Sequence, residues 1–458
     1  MGGQLFSTAH ADCHPTIETP RMNPQDYFRL KGIYTERLET YFGFEIVISF
    51  PEAPKKENFG DIDFSIARDR PLDWEDVADK IGANAWFDRG GQKASFAVRL
   101  DGERRSQPSP VQYFRIGDGG SLKRQAPAEF PEEASHDTYA QLDLERIDPG
   151  LKDWAKFYGS YGDAAGILGN AVTNFGFEVT DRGLRLRLQE LDEAKEGGWE
   201  HFVPANEDGK MILSSDPLKV MEFFGLSTES HSAGFDSEEA LFQWLSECPA
   251  MTEQCLKREK RQGSMDSRMK IRPMFGRFFR EWLPAHLAKK AANEASTDSE
   301  TTQPHASLSS MRDKIIAGCF NSLTLSDMRA IYLAESLTFF NKREQHMKLY
   351  LAFMRKRGNK TAEGELKAML MRHSQKKAQS ESFKELVRAF RRNVFYDEKI
   401  SRPALLAQSV EDDDSQLFTL LDEGGREVRN RENVEKWVKQ NFDHVKFVER
   451  ERAKARKG

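Results

Sequence analysis

Three observations predict an α+β fold for this chain. Short runs of strand character recur through the first 145 residues, at 44–49, 60–64, 94–100 and 139–145, the last with strict apolar–polar alternation. Between them lie segments with the apolar spacing of helices, at 22–41 and 73–81. Beyond residue 150 strand signals thin to one or two hairpin strands, and the chain after residue 310 reads as helical throughout.

Residues 1–24 are polar and are expected to form a flexible N-terminus. A helix begins near Pro24, where a missing N–H costs nothing, and packs Tyr27, Leu30, Ile33 and Leu38. Phe44-Glu45-Ile46-Val47-Ile48-Ser49 reads as a strand ending at Ser49, and a loop over residues 50–58 leads to the next strand at Asp61. Residues 101–135 are rich in Gly, Pro, Ser and charge and read as an exposed insertion before the strand at 139–145. Such a detour is tolerable because loop-closure entropy grows slowly with length. Asp216-Pro217 reads as an N-cap followed by proline at the first helical position, in a helix that ends at Gly225. Between Arg268 and Trp282 basic residues alternate with aromatics. Phe275, Phe278, Phe279 and Trp282 suit the core side of an amphipathic helix, leaving the arginines for a ligand, while a phosphate-clamping and base-stacking surface is the alternative. Residues 291–310 form a polar linker.

The chemistry concentrates in Gly60-Asp61-Ile62-Asp63-Phe64. On a strand, residues i and i+2 share a face, so Asp61 and Asp63 project together while Ile62 and Phe64 enter the core. Two adjacent carboxylates repel unless a cation lies between them, and Mg²⁺ prefers such hard oxygen ligands. The alternating strand at 139–145 brings a third acid, Asp143, with Glu145 as its rival on the same face. A strand ending in Ser, a short loop, an Asp-x-Asp strand and a later acid-bearing strand resemble the layout of the polymerase β nucleotidyltransferase superfamily.

That resemblance implies a small mixed β-sheet nucleotidyltransferase core with flanking helices, then a mainly helical middle region and an all-helical C-terminal domain. It implies that Asp61, Asp63 and Asp143 are catalytic and hold Mg²⁺ or Mn²⁺. Ser49 matches the second member of the Gly-Ser pair that meets the triphosphate, and Ile48 stands where the family has glycine. Lys55 and Lys56 offer cations in the same loop. A second block, Tyr158-Gly159-Ser160-Tyr161-Gly162-Asp163, resembles an uncharacterised, phage-like and microbial subgroup of the superfamily. There Ser160, Tyr161 and Asp163 are nucleotide-binding candidates, although Trp154, Tyr158 and Tyr161 equally suit a helix core. The domains expected are 1–24, flexible; 25–150, nucleotidyltransferase catalytic core; 151–290, substrate- and nucleotide-binding; 291–310, linker; and 311–458, basic and helical.

Composition limits the partners. The net charge of −5 is unevenly spread: residues 1–256 hold 26 Lys and Arg against 45 Asp and Glu, and the remainder holds 42 against 28. Such asymmetry suits an anionic partner for the basic half, or contact between the halves. Basic clusters at 355–357, 376–377 and 391–392 and a basic tail at 450–457 fit RNA or another polyanion, while a solvated bundle that meets protein fits as well. Asp412-Asp413-Asp414 reads as a solvated turn, and His10, Cys13 and His14 as a coincidental grouping. No run approaches the roughly 18 apolar residues of a membrane span, no secretory signal or myristoylation pattern is evident, and four scattered cysteines suit a reducing compartment. The expected setting is cytoplasmic or nuclear. The sequence thus anticipates transfer of a nucleoside monophosphate from an NTP, ATP among the candidates, to an acceptor hydroxyl, with RNA preferred. A catalytically inactive RNA-binding or protein-interaction protein is the alternative, and a toxin-like or defence-related transferase is a third reading.

Overall fold

The computed structural model describes residues 5–6, 17–105, 110–116, 121–124, 138–189, 209–256, 262–297 and 324–350, with short stretches beyond. By compactness the chain divides into one unit of Met1–Leu186 with Ile212–Lys342, and another of Arg187–Met211 with Arg343–Gly458.

In the first unit, helix α1 (Pro24–Phe42) starts at Asn23, whose side chain accepts the Asp26 N–H at 2.9 Å. Tyr27, Leu30, Tyr34, Leu38 and Phe42 recur every three or four residues and bury one stripe. Helix α2 (Trp74–Ile81) is capped by Asp73 and stopped by Gly82 at φ 74°, a left-handed residue where glycine avoids strain. Strands β1 (Val47–Ser49), β2 (Asp61–Ala67), β3 (Ala85–Asp88), β4 (Lys93–Arg99), β5 (Val111–Ile116), β6 (Ser121–Arg124) and β7 (Tyr139–Ile147) form one sheet. Its order is β1-β2-β7-β4-β3-β5-β6. The sheet is mixed: β2–β7 and β3–β5 run parallel, and the other pairs run antiparallel. The fold is α+β, as the sequence predicts.

Period-two alternation sorts the two faces. Ile62, Phe64, Ile66, Phe96, Leu142 and Leu144 pack with Leu30, Tyr34, Leu38, Trp74 and Val77 into the main core. Each such side chain contributes about 1.5–3 kcal/mol on full burial. The alternate residues, Asp61, Asp63, Ser95, Gln141 and Asp143, are left on the other face. Further along that face Phe87, Ala97, Tyr113 and Tyr139 form a smaller cluster covered by Phe6 and Ile17.

Helix α3 (Lys152–Gly159) and helix α4 (Ala164–Val172) follow the sheet. Next come β8 (Phe177–Thr180), β9 (Gly183–Arg187) and β10 (Lys210–Ser214), in the order β10-β9-β8. Asp216 caps the helix Pro217–Phe223, accepting from Leu218 N–H at 3.0 Å, as expected. The Arg268–Trp282 stretch is broken at Pro273. A helix Gln262–Ile271 precedes it, and a helix Pro273–Arg277 continues through a π turn into Leu283–Thr297. Phe275, Phe278 and Phe279 are buried.

Several expectations need correction. The first strand spans only Val47–Ser49, because Phe44 is 76% exposed just after the helix stop at Gly43. The insertion at 101–135 contributes β5 and β6, whose alternating Val111-Gln112-Tyr113 buries its odd side chains. Residues 1–24 do not all read as a free leader, since Phe6 meets Tyr113 edge-on at 5.8 Å. Residues 291–297 of the expected linker are helical, because an alanine-rich sequence carries the helix to Thr297. The C-terminal region is not purely helical. It holds two antiparallel strand pairs, Val394–Asp397 with Arg402–Leu405 and Thr419–Leu421 with Glu427–Arg429. His10, Cys13, His14, residues 298–310, Asp412-Asp413-Asp414, the basic clusters at 355–357, 376–377 and 391–392, and the tail at 450–457 lie outside the described residues.

Candidate active site

Register builds the site. Parallel pairing of β2 with β7 sets Asp63 opposite Asp143 and Asp61 opposite Gln141. Antiparallel pairing of β4 with β7 sets Ser95 opposite Asp143 and Lys93 opposite Glu145. Three carboxylates from two neighbouring strands therefore converge, and oxygens of Asp61, Asp63 and Asp143 lie within 4.8 Å of one another. Asp63 is pushed up to about 7, first by burial among its neighbours and then by the charges of Asp61, Asp143 and Glu52, although its side chain still reaches solvent. Asp61 is also raised, by burial and by Asp143, while Lys56 and Arg21 oppose the rise. The cluster is short of positive charge.

Asp143 is held at both oxygens. Gln141 Nε2 donates to Oδ1 at 2.9 Å, and Arg89 Nη1 donates to Oδ2 at 2.9 Å. Gln141 is itself oriented by the Leu5 N–H, which donates to its Oε1 at 3.0 Å. Arg89 stands at the tip of the β3–β4 hairpin beside Gly90 and Gly91, both at positive φ. Glu145, the rival third acid, instead pairs with Lys93 at 2.8 Å. Among the described residues, Ser95 Oγ is buried opposite Asp143 with no hydrogen-bond partner.

The loop between β1 and β2 supplies a further cation, Lys56, which acts on Asp61 and Asp63. Glu52 accepts from Lys31 Nζ at 2.8 Å, from Lys56 Nζ at 3.3 Å and from the Tyr27 hydroxyl. Burial works against the Glu52 charge, yet these partners hold its pKa below the usual range. Lys56 also lies over Phe59 at 4.5 Å, and Tyr27 stacks on the same ring at 3.8 Å. Lys55 is exposed at φ 54°, and its neighbour Lys56 is the lysine that acts on Asp61 and Asp63. Ser49 pairs with Phe64, so register puts its side chain on the core face and Ile48 on the carboxylate face.

The turn Gly159–Gly162 packs against this loop, with Asp163 just beyond it. Ser160 is buried and its hydroxyl donates to the Lys156 carbonyl. Tyr161 sits at φ 57°, donates its N–H to Pro51 O at 2.8 Å and its hydroxyl to His231 O at 2.9 Å. Asp163 pairs with Arg272 at 2.8 Å. Glycines permit the contact: a Cβ on Gly159 would meet the Phe50 ring at 2.5 Å, and one on Gly162 would meet Ala53 at 3.1 Å.

No protein-family model matches the chain, and no curated protein matches it. Among solved structures, it is similar to two ternary complexes of polymerase beta from Leishmania infantum. The P/T complex is 16% identical, with a TM-score of 0.26 over 44% of this chain and 72% of that one. The gap complex is 14% identical, with a TM-score of 0.26 over 50% and 68%. At such values the likeness says nothing of the reaction, and the carboxylate geometry stands on its own.

That geometry fits a divalent cation. Three carboxylates within 4.8 Å, two of them with raised pKa, form an all-oxygen donor set of the kind Mg²⁺ and Mn²⁺ take. The sequence reading missed Lys31, Glu52, Arg89 and Gln141. Of these, Gln141 alone carried a local signal, since it lies two residues before Asp143 on the same alternating strand.

Proposed function

We propose that this protein is a divalent-metal-dependent nucleotidyltransferase that moves a nucleoside monophosphate from an NTP to an acceptor hydroxyl. The observation carrying this reading is the convergence of Asp61, Asp63 and Asp143 within 4.8 Å on adjacent parallel strands. Asp61, Asp63 and Asp143 would hold Mg²⁺ or Mn²⁺, which would neutralise the charge that develops at the α-phosphate. Asp143, steadied by Gln141 and Arg89, orients the acceptor hydroxyl and takes its proton as the new O–P bond forms and pyrophosphate leaves. Lys56, with Lys55 beside it, meets the triphosphate, while Ser49 faces the core and takes no part. Tyr161 serves the nucleotide by bracing that loop from behind, with Ser160 and Asp163 holding the turn that carries it. The preferred acceptor is RNA, and a triphosphate substrate suits a setting inside the cell. Among the described residues no helix is long and apolar enough to cross a membrane.

One observation favours a second reading, a catalytically inactive nucleotidyltransferase-like binding protein. Ile48 occupies the position where the superfamily keeps glycine, and it is buried on the carboxylate face. Incubation with each α-³²P-labelled NTP, Mg²⁺ or Mn²⁺, and mixed RNA and protein acceptors separates the two. Transfer that disappears in Asp61→Ala/Asp63→Ala supports the transferase. No transfer by a folded wild-type chain under any of these conditions supports the binder.

A further inference from the structure

A carboxamide has two ends of opposite character, an oxygen that accepts and an NH₂ that donates, and its terminal torsion turns between them at little cost. Gln141 shows its NH₂ to Asp143 Oδ1 at 2.9 Å, which draws the carboxylate in, whereas the reverse orientation would set oxygen against oxygen. The Leu5 N–H selects between the two. It can only donate, and it holds Gln141 Oε1 at 3.0 Å across 136 residues of sequence. Gln141 is 4% exposed, which leaves water little access to either end of the amide.

Apolar packing fixes that donor in place. Phe6, the next residue, is buried edge-on against Tyr113 at 5.8 Å. Ile17 joins it in a cluster with Phe87, Ala97 and Tyr139, and Leu5 packs against the same cluster. Further along, residues 18–22 reach both acid-bearing strands. Tyr139, two residues before Gln141, donates its N–H to Glu18 O at 3.1 Å. Met22 and Phe59 exchange N–H···O bonds at 2.8 and 2.9 Å, two residues before Asp61. The hold on Asp143 is compatible with a cation: Gln141 engages Oδ1, and Oδ2, where Arg89 sits, remains the oxygen that a cation can win.

We propose that the chain ahead of α1 is a working part of the metal site: the Leu5 N–H, anchored through Phe6, is a positioning group that sets the Gln141 carboxamide and so holds Asp143 ready for the cation. This rests on the reading of Asp61, Asp63 and Asp143 as metal ligands, and not on the transfer that follows. The backbone donor at position 5 does the positioning, and its side chain only packs.

The test is a Mn²⁺ titration of the full chain by electron paramagnetic resonance, with circular dichroism to establish folding. Leu5→Pro deletes the N–H and weakens Mn²⁺ binding about ten-fold, the scale on which an outer partner of a metal ligand acts. Leu5→Ala keeps the N–H, trims only the side chain and stays within about two-fold of wild type. Gln141→Met, similar in size but without either polar end, also loses about ten-fold. Adding Leu5→Pro to it costs nothing more, because donor, amide and carboxylate form one chain. With metal saturating, Leu5→Pro lowers kcat for label transfer and leaves the KM for NTP unchanged, since Asp143 orients the acceptor and the Lys56 loop is untouched. Equal Mn²⁺ affinity in Leu5→Pro and Leu5→Ala overturns the proposal, as do additive losses in the double variant. A Leu5→Pro chain that fails to fold is replaced in the same cycle by Phe6→Ala, which frees the anchor and is held to the same criterion of non-additivity. Mn²⁺ binding without label transfer by wild type counts against the reaction alone, and no Mn²⁺ binding by wild type overturns both.

Discussion

Burial first, and then the charges of Asp61, Asp143 and Glu52, raise the pKa of Asp63, with Lys56 opposing them. Replacing Asp63 with the near-isosteric Asn removes one charge and leaves the strand intact. Asp63→Asn is expected to raise the Tm of the metal-free protein by about 2–4 °C, the shift that accompanies roughly 1 kcal/mol in a domain of this size. The same variant loses label transfer, so stability and activity move in opposite directions. Arg89 makes the converse case. Its guanidinium takes Asp143 Oδ2 at 2.9 Å and competes with any metal for that oxygen. Arg89→Gln therefore binds Mn²⁺ several-fold more tightly in a titration, while transfer falls because Asp143 is less firmly held. Lys31→Met leaves the half-buried Glu52 with one fewer donor and costs about 1–3 kcal/mol in urea unfolding.

The decisive element is the loop between β1 and β2, pressed against Gly159–Gly162 from behind. Gly159→Ala drives a methyl group into the Phe50 ring, and overpacking of this kind costs about 1–3 kcal/mol. Gly162→Ala adds the strain of φ 65° at a non-glycine residue. Both variants are expected to raise the KM for NTP more than they lower kcat, because they displace the Lys56 loop and leave the carboxylates in place. The same elements show what the sequence made legible. The shared face of Asp61 and Asp63 follows from period-two alternation, a local property, and the strand carrying Asp143 announces itself in the same way. The side on which Ser49 falls depends on its pairing with Phe64 across the loop, which no local pattern encodes. Arg89 reaches Asp143 across 54 residues, and Lys31 reaches Glu52 across 21, so both contacts arise only from the tertiary fold. Strands β5 and β6 were hidden by the Gly, Pro and charge around them.

For the molecule as a whole, the acid cluster ties stability to pH. Asp63 has its pKa raised from 3.8 to about 7 in the folded chain. Between those values the native state keeps a proton that the unfolded state has released, so this group's contribution to stability falls as pH rises from about 4 to about 7. Glu52 acts in the opposite sense: its lowered pKa contributes stability that is lost as pH drops through the carboxylate range. The metal-free protein is accordingly expected to lose Tm between pH 5 and pH 7.5 by more than Asp63→Asn does, and saturating Mg²⁺ is expected to remove the difference. The most direct test of the central claim is a Mn²⁺ titration followed by electron paramagnetic resonance, comparing wild type with Asp61→Ala/Asp63→Ala after circular dichroism has shown both to be folded. The account predicts micromolar to submillimolar binding by wild type, sharpened by a non-hydrolysable NTP analogue and abolished in the variant. Equal binding by the two proteins, or none by wild type, contradicts it.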